Sequence, residues 1–203
     1  MAGFASPGRQ YRLFAIGASF FASATLPGFA AWAGAGPANL LCFVGSWFFT
    51  VAAWMQLDLT ERAKRVEWVS AAVQFVGTVL FNLSTGAAVW AHAVQTERRD
   101  VWVPDATGSL MFLISGALAL AAVTVACGAP DLRSREWVAG AVNLIGCVAF
   151  AVSAVAAFVR TDGVTADEWL ANLGTFVGAL CFLASALTAL PRHRRPVRRP
   201  GSG

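Results

Sequence analysis

For catalysis the 203-residue chain offers two histidines, one tyrosine, four cysteines and eleven acidic residues, and they fall into no reactive spacing. A metal centre needs three or four convergent ligands; His92 and His193 stand alone, so each reads as a solvated or interface histidine. Cys42, Cys127, Cys147 and Cys181 lie within or at the end of apolar runs without a Cys-x-x-Cys pair, the setting of small packing thiols. The glycine-rich AWAGAGPAN stretch has neither the lysine nor the spacing of a phosphate-cradling loop. The expectation is no catalytic, cofactor-binding or metal site and no cofactor, hence not an enzyme. A membrane enzyme would need a reactive pair such as His92 beside Asp100 or Asp105 in a lateral cleft. What remains is a set of uncharged polar residues in apolar surroundings, chiefly Gln74, Asn82 and Asn143. Such amides either bridge helices or line a solute path.

The elements that position these residues are set by composition. With 57% hydrophobic and 13% charged residues and a mean hydropathy of +0.62, the chain departs from the charged share of about a quarter that soluble domains carry. Charges divide it into six apolar segments, 13–32, 38–57, 68–91, 102–127, 137–159 and 169–190, each near the roughly twenty residues that cross a bilayer as a helix. The alternating pattern of barrel strands is absent. The fold expected is all-α, a polytopic bundle of six transmembrane helices over 13–190, between an N-terminal segment 1–12 and a basic tail 191–203. Twelve of the fifteen Lys and Arg residues fall on one side if both termini are cytoplasmic, which the positive-inside rule favours. The tail PRHRRPVRRPGSG reads as a topology determinant near anionic lipid rather than a nucleic-acid contact. Arg9 and Arg12 before an apolar run imitate a secretory signal, but the first segment carries the same internal motif as the others and is expected to be retained.

That motif is a glycine, a phenylalanine four residues on and a small residue seven on: Gly17, Phe21, Ala24; Gly45, Phe49, Ala52; Gly77, Phe81, Ser84; Gly108, Phe112, Ser115; Gly146, Phe150, Ser153; Gly178, Phe182, Ser185. At 3.6 residues per turn the three share one narrow stripe, and small residues there let helix backbones approach closely. The stripe should face protein. Alternate glycines recur at intervals of 60 to 70 residues, the length of a two-span hairpin, which suggests three hairpins repeated in one orientation. In EWVSAAVQFVGTVLF, EWVAGAVNLIGCVAF and EWLANLGTFVGALCF a Glu-Trp pair precedes the glycine by ten and nine residues. Trp68, Trp137 and Trp169 are therefore expected at interface depth. Glu67, Glu136 and Glu168 are expected in first helical turns, where carboxylates complement the macrodipole, with Thr165 and Glu168 as a capping box.

These elements, clearest in REWVAGAVNLIGCVAFAVSA and ADEWLANLGTFVGALCFLASA with Asn143 and Asn172, resemble the YrhK-like domain of small bacterial membrane proteins. The resemblance implies a two-span hairpin unit in a bacterial cytoplasmic membrane and brings no molecular activity with it. Two functional readings stay open: a non-enzymatic packing, assembly or accessory component, meeting lipid and a second copy or another membrane protein, and a passive channel or facilitator for a small neutral solute past Gln74, Asn82 and Asn143.

Overall fold

The structure, a computed structural model, describes residues 5–90, 96–160 and 162–191. His92, His193 and all but the first residue of the basic tail lie outside them. The described residues form α1 (Pro7–Ala24), a short α2 (Phe29–Ala33), α3 (Ala35–Leu59), α4 (Arg65–Trp90), a π-helical turn (Glu97–Trp102) that runs into α5 (Val103–Cys127), α6 (Arg135–Ala156) and α7 (Glu168–Ala189). Five helical segments are long and apolar enough to cross a membrane: Ala35–Leu59, Arg65–Trp90, Glu97–Cys127, Arg135–Ala156 and Glu168–Ala189. The chain thus carries the helices of a membrane protein.

The first apolar segment, expected to be continuous over 13–32, is broken. Pro27 and Gly28 follow the end of α1, and Gly28 takes φ +87°, a conformation that costs glycine little and other residues more. The eighteen residues of α1 span about 27 Å at 1.5 Å per residue, just under the roughly 30 Å of a hydrocarbon core. Ahead of α5 the backbone N–H of Val103 reaches back five residues to the Arg98 carbonyl. Pro104 explains the wider turn, because it lacks an N–H and its ring crowds the carbonyl four residues earlier. The turn sends the Trp102 indole to the Ala154 carbonyl at 2.8 Å, satisfying an orphan group in the last turn of α6. The expected capping box at Thr165 does not form. Thr165 pairs with Val159 in an isolated antiparallel bridge, and Asp167 caps α7 by accepting from Leu170 N at 2.9 Å.

Each long helix packs on the next in sequence, and α7 returns to α1, so the six close into a ring. Within the antiparallel pairs α1/α3, α4/α5 and α6/α7 the glycines cross one another, and each glycine seats the phenylalanine of its partner. A Cβ on Gly77 would lie 2.9 Å from Phe112, and one on Gly108 would lie 2.7 Å from Phe81. The same exchange joins Gly17 to Phe49, Gly45 to Phe21, Gly146 to Phe182 and Gly178 to Phe150. Seven residues from the crossing, hydroxyls clasp the opposite helix. Ser115 Oγ donates to Ser70 O at 2.9 Å, Ser153 Oγ to Ala171 O at 2.7 Å and Ser185 Oγ to Ala139 O at 2.8 Å.

The face opposite the glycines is apolar and open. Two residues after the glycine, about 200° round the helix, stand Trp47, Val79, Leu110, Val148 and Leu180, all exposed. In water such a surface would aggregate; in lipid it is solvated.

Filling a glycine notch should therefore cost stability although alanine is the better helix former by about 1 kcal/mol. Gly178→Ala should lower the unfolding temperature in detergent through overpacking of about 1–3 kcal/mol. Gly8→Ala, where a Cβ meets nothing within 4 Å, should leave it unchanged or raised. Equal stability of Gly178→Ala and wild type would refute the fit.

Candidate functional site

The exchanged phenylalanines meet on the axis of the ring. Phe21, Phe81 and Phe150 form one triangle, with centroids 5.7–6.2 Å apart. Phe49 and Phe112 both abut Phe182, at 6.1 and 6.2 Å, in a second layer. The layers are joined by the hairpin pairs Phe21–Phe49, Phe81–Phe112 and Phe150–Phe182 at 5.3, 4.9 and 5.0 Å. Offset and edge contacts at these separations are each worth about 0.5–1.5 kcal/mol beyond burial. Together the six rings make a double-layered plug.

A cavity lies against each face of the plug. The proximal one, at the end where α1, α4 and α6 begin, has a volume of about 830 Å³ and touches Phe49, Phe112 and Phe182. The distal one, at the opposite end, has about 250 Å³ and touches Phe21 and Phe81. The position three residues before each motif glycine lines a cavity in all six helices: Phe14, Gln74 and Asn143 the proximal one, Cys42, Asp105 and Thr175 the distal one. An offset of minus three lies about 60° from the glycine stripe, which turns these side chains to the axis beside the plug.

Of the three amides that the sequence proposes for a solute path, Gln74 and Asn143 share the proximal cavity and Asn82 lines neither. Asn82 Nδ2 donates to Thr50 Oγ1 at 2.8 Å, and it binds α4 to α3. Gln74 Oε1 lies 3.3 Å from Ser115 Oγ, whose hydrogen serves the Ser70 carbonyl, and Asn143 Nδ2 lies 3.7 Å from Cys147 Sγ, so both amides keep hydrogen-bonding capacity for a guest. Gln10 joins them in the proximal wall and was missed by the sequence argument; it stands seven residues before Gly17, on the motif stripe. Asp105, which the sequence offers only as a possible partner of His92 in a lateral cleft, sits one helical turn from the plug. The minus-three position it shares with Gln74 and Asn143 was the signal available.

The three tryptophans expected as interface anchors have different surroundings. Trp169 is 71% exposed, whereas Trp68 lies under the Arg62 guanidinium at 5.9 Å and Trp137 Nε1 donates to Thr124 Oγ1 at 3.0 Å. Glu67, Glu136 and Glu168 do begin α4, α6 and α7. Glu67 pairs with Lys64 at 3.6 Å, and Arg135 donates to the Thr188 carbonyl. Among the described residues no group of three or more His, Cys, Asp and Glu side chains is placed to hold a metal ion.

No family model, curated protein or solved structure matches the chain.

The cavities should be wet and the plug dry. In a background with the four cysteines replaced by alanine, Asn143→Cys should react with a water-soluble maleimide and Phe150→Cys should not. Comparable labelling of the two would contradict the geometry.

Proposed function

We propose that this chain is a six-span, non-enzymatic integral membrane protein that works as a gated passive conduit for a small solute, closed in this conformation by its phenylalanine plug. The carrying observation is that two cavities at opposite ends of one helix ring abut opposite faces of the same six rings. Apolar constrictions of this kind gate by excluding water. The assembly reading drew on glycine stripes free to meet another helix, but here each motif glycine is filled by the chain's own phenylalanine, so any second copy or membrane partner would use a different face.

The sixth crossing is α1 with the turn and α2 that follow it, and its support is that α1 closes the ring against α3 and α7. Three hairpins repeated in one orientation account for the shared offsets of packing and lining residues. The distribution of Lys and Arg supports cytoplasmic termini, and the YrhK-like resemblance supports a bacterial cytoplasmic membrane. Lipid is then the solvent of the exposed apolar face, and nucleic acid is not a partner.

Reconstituted vesicles test the conduit. Phe81→Ala with Phe150→Ala, in protein that keeps its elution volume, should speed glycerol-driven swelling above wild type. Adding Gln74→Leu and Asn143→Leu should bring the rate back toward that of protein-free vesicles. Plug variants that remain folded yet no more permeable than wild type would reject the reading.

A further inference from the structure

The two cavities differ in charge. The proximal wall balances Glu67 and Glu136 against Lys64 and Arg135. Among the described residues the distal wall holds Asp105 and Glu168 and no lysine or arginine. Asp105 belongs to neither ion pair found among the described residues, and none of the hydrogen-bonding groups described there serves its carboxylate. The residue is half-buried where it lines the cavity. A carboxylate without a partner among the described residues is costly at such a position, and intramembrane acids are retained where they pair with something.

We propose that the distal cavity binds a small organic ammonium ion, with Asp105 as its counter-charge and Glu168 as the acid that draws it in. A single-sign lining focuses cations into a low-dielectric cleft. The rings of Phe21 and Phe81 supply an aromatic wall, the surface that receives substituted ammonium ions through cation–π attraction. Ala24, Ala38 and Ala88 leave the remaining wall apolar, which suits alkyl substituents better than a bare metal ion needing several oxygen ligands. The volume of about 250 Å³ falls just below the range of roughly 300–1,000 Å³ typical of drug-sized ligands, which points to a guest of few heavy atoms. This site goes beyond the conduit reading and does not depend on it, because a closed protein offers the same cavity.

Titration calorimetry of the full chain in detergent, with tetramethylammonium chloride as probe over a sodium chloride background, tests the site. Wild type should show one saturable event. Asp105→Asn should weaken it by at least about tenfold, as loss of an enclosed charge partner does, whereas Asp105→Glu and the proximal control Glu67→Gln should retain it. No saturable heat with wild type, or unchanged affinity in a folded Asp105→Asn, would overturn the proposal. If Asp105→Asn does not fold, the exposed Glu168→Gln decides: weaker binding supports the site and unchanged binding overturns it. Vesicle swelling is a separate readout, so binding without flux removes only the conduit, and flux without binding removes only this site.

Discussion

A phenyl ring reaches the axis of this bundle only because the helix across from it has no side chain at the point of contact. Lipid supplies no hydrophobic force between apolar helices, so their association rests on close packing, and the glycine–phenylalanine exchange is where that packing is tightest. Each of the three hairpin pairs makes the exchange twice, once in each direction, and the antiparallel register follows from it: with glycine opposite glycine, the residues seven away on either side also meet. The serine clasps from Ser115, Ser153 and Ser185 fall at those places. Polar side-chain contacts between helices of a folded membrane protein average only about 0.6 kcal/mol by double-mutant cycles, so the clasps secure a register that the rings have already set.

The same exchange determines what the interior can do. Six rings driven inward close the axis and leave the minus-three side chains facing the spaces above and below. Those side chains make the two ends chemically unlike. Amides and a balanced rim occupy the proximal end, and an acid with no partner among the described residues lies beside aromatic rings at the distal end. Meanwhile the helix faces turned outward are left with Trp47, Val79, Leu110, Val148 and Leu180, a surface that only acyl chains or another apolar protein can solvate.

Much of this was legible from spacing within each helix. The Gly-Phe-small stripe turns toward protein as its periodicity requires, and the acids at 67, 136 and 168 begin helices as the macrodipole favours. What spacing within a helix cannot supply is the register between helices, so nothing in the sequence tied Gly178 to Phe150 or gathered six phenylalanines at one depth. Asn82 illustrates the same gap: its polarity and position match those of a lining residue, but Thr50 on the neighbouring helix takes its amide. Asp105 stands only three residues inside its apolar run, so the run alone does not carry it to the plug. The π-turn at Glu97–Trp102 carries the helix further back than the apolar run alone, so Asp105 lies a full turn inside. At Pro27-Gly28 the turn signal was present in the sequence and outweighed by the apolar residues around it.

The seating of one helix's ring in the other's glycine notch is tested most directly by a double-mutant cycle on unfolding free energy in detergent, pairing Gly178→Ala with Phe150→Leu. Shrinking the ring should make room for the added methyl, so the double variant should be more stable than the sum of the singles by about 1 kcal/mol or more, while Gly178→Ala with Phe43→Leu, a ring outside the plug that packs on Gly86 and Trp90, should add. Additivity within about 0.5 kcal/mol in both cycles would contradict the account.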